Sequence, residues 1–129
     1  MTHDGTNNKI FINGSLKNSI PATGALNNTT KPLGIGYDPI DNGGYFNGSL
    51  DEVMIFSIAM SDAQVATLFA TQNATPAIVN GIVASYSFSG SGLDSSVNKN
   101  HATITNAKSV TDRFGFGAKA YSLLSLIHI

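Results

Sequence analysis

The 129-residue sequence contains no cysteine, no tryptophan, a single glutamate and few charges of either sign. Without cysteine there is no disulfide scaffold, no thiolate zinc site and no cysteine nucleophile. Compartment stays open, because many secreted bacterial proteins manage without disulfides. Charged residues make up 12% of the chain, about half the usual share. That shortage argues against a long helical bundle or coiled coil, which would draw on Glu, Lys and Arg. A net charge of −1 leaves no basic surface to neutralise phosphates, which argues against nucleic-acid binding. No segment reaches the roughly 18 apolar residues of a membrane span. The opening Met1-Thr2-His3-Asp4-Gly5 lacks the basic and then apolar regions of a signal peptide, so an export signal would lie outside this chain.

Neutral polar residues fill the gap: 13 Asn, 14 Ser and 11 Thr beside 13 Gly. This is the composition of a turn-rich β protein, and the pattern along the chain agrees. Lys9-Ile10-Phe11-Ile12 and Ser15-Leu16-Lys17-Asn18 flank Asn13-Gly14, two residues that tolerate positive φ, and so predict a hairpin. Residues 19–32 read as a loop. Leu33-Gly34-Ile35-Gly36-Tyr37 reads as a strand and Asp38 to Gly44 as a turn-rich loop. Tyr45 to Phe56 reads as a long inner strand, apolar on both faces after Glu52.

One helix is expected. Ser61 and Gln64 form a capping box, Asp62 suits the positive end, and Val65, Leu68 and Phe69 make an apolar stripe ending near Thr71. Residues 73–81, with Pro76, form a linker. Charge balance changes there, from three lysines and six acids before it to four bases and two acids after. Ile82 to Phe88 and Ala102 to Thr105 then read as strands, and residues 106–120 mostly as loop.

Several segments resemble LamG-like jellyroll domains of the concanavalin A-like lectin/glucanase superfamily. Asp4-Gly5-Thr6-Asn7 with Lys9 to Gly14 is similar to the middle hairpin of that family. Tyr45 to Phe56 is similar to its last long strand, and the helix from Ser61 to the one that follows. Val83 to Phe88, Leu93-Asp94-Ser95-Ser96, Asn98 to Ala102 and Thr111 to Gly115 resemble instead the opening of a domain. The resemblance implies an all-β fold, a partial concanavalin A-like jellyroll β-sandwich with one short α-helix. It divides the chain into the end of one module (1–72), the linker (73–81) and the start of a second (82–122). Either the chain is a fragment of a tandem-repeat protein, or it is a circular permutation that folds as one small sandwich. In the family the first and last strands are neighbours, so residues 82–88 are expected to pair with 49–56 in either case. Leu123-Leu124-Ser125-Leu126-Ile127-His128-Ile129 does not continue the opening and resembles a translated sequencing adaptor. Residues 123–129 are thus expected to be a non-native tail, the plain alternative being an apolar terminal strand.

Catalysis is tested by counting carboxylates. Glycosidases need two acids flanking the scissile bond, but the single glutamate, Glu52, adjoins Asp51 and would face the other side of a strand. His3, His101 and His128 stand in unrelated contexts, and no glycine-rich phosphate loop precedes a lysine. No catalytic residues are expected.

Calcium takes six to eight oxygen ligands, and Asp94, Asn98 and Asn100 lie in one loop that could wrap a cation. The resemblance adds Asp51 as their partner in a structural calcium site. The same residues serve equally well to make turns through side-chain to backbone hydrogen bonds. Tyr37, Asp38, Asp41, Asn42 and Tyr45 surround one loop with the composition of a sugar site, aromatic faces beside hydroxyl-binding polar groups. The alternative is a pair of half-buried strand ends with their hydroxyls in water. The resemblance implies a non-catalytic carbohydrate-binding or adhesion module of a secreted or cell-surface bacterial protein. Its partners would be a glycan or cell-surface ligand and the neighbouring modules of the same polypeptide. A ligand-free spacer repeat, or an accessory domain of a polysaccharide-degrading enzyme, would show the same features.

Overall fold

The structure, a computed structural model, describes residues 1–26, 30, 32–38, 44–71 and 80–123. Its elements run β1 (Thr2–His3), β2 (Asn7–Ile12), β3 (Ser15–Pro21), β4 (Gly48–Leu50), β5 (Val53–Phe56), α1 (Asp62–Ala70), β6 (Ile82–Tyr86), β7 (Ala107–Val110) and β8 (Ala120–Leu123). Among the described residues the regular structure is thus all β except for one short helix, as expected. None of the described helices is long and apolar enough to cross a membrane. The chain forms two compact units, Met1–Asn28 with Phe56–Ile82 and Thr29–Ile55 with Val83–Ile129. The second unit draws on sequence from both sides of the expected linker, whereas the first takes only Ile82 from beyond it.

The first unit is built on the sheet β1-β2-β3. Asn13 and Gly14 take φ of 51° and 73°, which turns the chain tightly between β2 and β3. The pairing runs on to Asn7↔Pro21, so residues 19–21, expected in a loop, belong to β3. Proline is tolerated there because β3 is an edge strand whose N–H groups need not all be paired. Helix α1 starts as expected. The Ser61 hydroxyl accepts from the Gln64 N–H at 3.3 Å and the Gln64 side chain accepts from the Ser61 N–H at 2.8 Å. Its last turn closes at Thr71, whose N–H donates to the Thr67 carbonyl. Lys9 of β2 pairs with Asp62 of α1 at 3.0 Å, a partly exposed contact worth at most about 1 kcal/mol. Gly14 lies so close to Phe69 that a Cβ would sit 2.8 Å from that side chain.

The second unit contains the sheet β4-β8-β7, with β8 central and antiparallel to both neighbours. β5 and β6 are paired in a two-stranded sheet. Along and beyond β6, alternate residues Ala84, Tyr86 and Phe88 are buried and meet Tyr121 of β8. Ile35, Leu50, Val53, Ile55, Ala102 and Ala107 pack around this centre, half-buried. Phe88 stacks on Tyr86 with ring centroids 5.9 Å apart, and Tyr121 meets it edge-on at 5.7 Å.

Four expectations change in this unit. The long strand 45–56 is broken in two, because Glu52 adopts φ of 53° and interrupts the ladder between β4 and β5. Among the described residues β5 is half-buried and pairs only with β6, rather than being an inner strand covered on both sides. Residues 33–37 bend instead of forming a strand, since Gly36 takes φ of 81°. Residues 102–105 lie outside any ladder, and β7 falls within 106–120 instead. There the bare Gly92 backbone packs directly on the Ala102 carbonyl, and the Gly92 carbonyl accepts the Ala102 N–H at 2.8 Å. The expected linker lies outside the described residues except for 80 and 81, and so does the expected tail except for Leu123. That residue ends β8 opposite Gly48 and Ala107.

Candidate functional site

A cleft of about 620 Å³ opens in the second unit. Its mouth is made by the bend at Gly36. The Phe46 N–H donates to the Gly36 carbonyl at 2.8 Å, drawing residues 45–46 against 35–37. Tyr37 and Tyr45, eight positions apart in sequence, thereby become neighbours. Their rings are 6.5 Å apart between centroids and 16° from parallel. Both stay about 40% exposed (41% and 40%). Phe46, Leu50, Phe88 and Tyr121 also line the cleft, and residues 102–107 form another wall. That wall brings the polar groups, from Thr103, Thr105 and Asn106.

Of the expected sugar site, the structure thus unites Tyr37 and Tyr45 on one lip. Asp38 packs beside Gly44 and does not line the cleft. Asp41 and Asn42 lie outside the described residues. Phe46 and the wall 102–107 were not anticipated. The run Ala102-Thr103-Ile104-Thr105 has the alternation of a strand, and nothing local shows that it will instead face an opening.

The Asp94 loop is built differently from a cation cage. Asp94 is almost fully buried, at 2% exposure. One carboxylate oxygen accepts the Ser85 and Ser96 N–H groups, both at 2.8 Å. The other accepts the Ser96 hydroxyl at 2.7 Å and the Asn100 N–H at 2.8 Å. Burial pushes this carboxyl up. The Ser85 and Ser96 N–H groups, the Ser96 hydroxyl and the Asn100 N–H outweigh burial and hold it well below the usual carboxylate range. Asn98 and Asn100 turn their amide N–H groups onto the Val83 carbonyl, at 3.0 and 3.1 Å. The Tyr86 hydroxyl closes the loop by donating to the Asn100 carbonyl at 2.6 Å. The four donors leave the Asp94 carboxylate little capacity for a cation, and the two asparagines present donors to β6.

Asp51, the fourth expected ligand, stands in another setting. Burial raises its pKa, and the Asp112 charge raises it further. Burial and then the neighbouring Asp51 charge do the same for Glu52. Arg113 moderates both. Asp112 accepts the N–H groups of Phe114 and Phe116, at 2.8 and 2.9 Å, and so fixes the turn beside them. Among the described residues no group of three or more His, Cys, Asp or Glu side chains is placed to hold a metal. In this arrangement the Asp94 carboxylate and the Asn98 and Asn100 amide N–H groups are engaged within their own loop and with β6.

Residues 1–66 match the family model described as the concanavalin A-like lectin/glucanases superfamily. No curated protein and no solved structure matches the chain.

Proposed function

Because the chain belongs to the concanavalin A-like lectin/glucanases superfamily, with a partial jellyroll fold and one short helix, we propose a non-catalytic binding role within that membership. In this reading the chain is a module of a secreted or cell-surface bacterial protein that takes a glycan or similar surface molecule in its aromatic cleft. The observation that carries the reading is the near-parallel, partly exposed pair Tyr37 and Tyr45 at the mouth of the cleft. Sugar rings present an apolar face of C–H groups that stacks on such rings, while their hydroxyls need hydrogen-bonding partners alongside. Thr103, Thr105 and Asn106 stand on another wall to supply them. The acids support the non-catalytic part. Asp51 and Glu52 are consecutive at the break between β4 and β5, and neither lines the cleft.

The test is direct binding of the purified chain to an arrayed glycan set, with Tyr37→Ala and Tyr45→Ala alongside. Removing a stacking ring is expected to weaken retention by about tenfold, the equivalent of about 1.4 kcal/mol. Retention of no glycan by a chain that circular dichroism shows to be folded would favour the spacer reading instead.

A further inference from the structure

We propose that the cleft selects uncharged glycans and rejects acidic ones; this rests on the reading of the cleft as a glycan site. No charged side chain lines it among the described residues. Two of the segments that build it are bare of bases as well, while Lys119 stands two positions before Tyr121 on a third. Residues 33–50 contain two charged positions, Asp38 and Asp41, both acidic, and residues 102–107 contain none. Lys108 follows directly on the wall, but it alternates with Ala107 along β7 and faces the other side of the strand. A uronate carboxylate or a sulfate entering here would leave water without meeting a cation, the costliest kind of burial.

An uncharged saccharide meets no such obstacle. Its apolar face lies on Tyr37 and Tyr45, and its hydroxyls exchange water for the Thr103 and Thr105 hydroxyls and the Asn106 amide. Recognition then depends on ring stacking and neutral hydrogen bonds, which salt does not screen. Basic glycan-binding surfaces work the other way, by pairing cations with anionic groups and weakening steeply as ionic strength rises.

The experiment uses the intact 129-residue chain and its own fluorescence. The chain has four tyrosines and no tryptophan. Tyr37, Tyr45 and Tyr121 line the cleft, so their emission reports on it without a stronger fluorophore in the way. The titrants are neutral hexose and N-acetylhexosamine oligosaccharides on one side, uronate-containing and sulfated oligosaccharides on the other. The expected result is a saturable change with a neutral saccharide and none with the acidic ones. Its Kd should move by less than about twofold between about 0.05 M and about 0.5 M NaCl, and Tyr37→Ala should weaken it. Preferential binding of acidic saccharides, lost about tenfold or more over that salt range, overturns the uncharged class but leaves the glycan reading standing. No saturable change with any saccharide overturns both. Neutral binding untouched by either tyrosine substitution places the ligand elsewhere and overturns this assignment.

Discussion

Replacing Phe88 by alanine and, separately, by glycine probes the centre of the second unit in two independent ways. The ring is 6% exposed and contacts Tyr86 and Tyr121. Truncating a phenylalanine so placed costs about 3–5 kcal/mol from lost transfer energy and the cavity left behind. Phe88 also holds φ of 48°, in the left-handed region, where a Cβ crowds the following carbonyl at a cost of about 1–2 kcal/mol. Alanine keeps that strain and glycine releases it. In ordinary strand or helix the glycine variant would be the weaker by about 0.5–1 kcal/mol, through the greater freedom of its unfolded chain. Here the two effects oppose each other and relief is the larger, so Phe88→Gly should equal or exceed Phe88→Ala by about 0.5–1 kcal/mol. Urea unfolding followed by far-ultraviolet circular dichroism reads the difference. With a slope near 2 kcal/mol/M, the glycine midpoint should lie about 0.3–0.5 M above the alanine midpoint. A glycine midpoint clearly below that of alanine would refute the strained geometry at Phe88. Losses under about 1 kcal/mol in both variants would refute its place in the core.

Glu52 carries the same kind of strain, at φ of 53°, on an exposed side chain. Glu52→Gly should therefore raise stability by about 0.5–1 kcal/mol; a lowered urea midpoint would show that the break between β4 and β5 needs the side chain. The folded pKa of Asp94 lies below its unfolded value near 3.9. Its contribution is therefore complete above that value and is lost as pH falls through the lower, folded one. Unfolding midpoints measured from neutral pH into acid should decline on that limb for the natural chain. Asp94→Asn should be less stable at neutral pH and show a flatter acid limb; parallel limbs would mean that Asp94 is not the staple of its loop. Asp51 and Glu52, with raised pKa values, act with the opposite sign and add stability as pH falls through their range.

What the sequence made legible was local. The Asn13-Gly14 turn and the Ser61–Gln64 capping box depend on residues within four positions of one another, and both formed as expected. The core alternation of Ala84, Tyr86 and Phe88 is a period-two signal that survives in the fold. The departures arise where distant backbone decides. Propensity places Glu52 and Phe88 in extended conformation, yet both sit at positive φ, in the unit where Phe88 turns its ring onto Tyr121. Residues 102–105 have the alternation of a strand, but an extended segment becomes one only when a neighbour offers a ladder. Gly92 offers a close backbone contact instead.

The candidate site followed the same division. Tyr37 and Tyr45 were recognisable as aromatic residues flanking one loop, while their stacking depends on Gly36 reaching a φ that only glycine adopts freely. The Asp94 loop holds the oxygen-rich residues that calcium would use, and composition alone could not say where those groups would point. In the fold, backbone N–H groups converge on the carboxylate before any cation is considered. A buried carboxylate must find donors or a metal, and a loop that supplies four donors from Ser85, Ser96 and Asn100 has met that need within the chain itself.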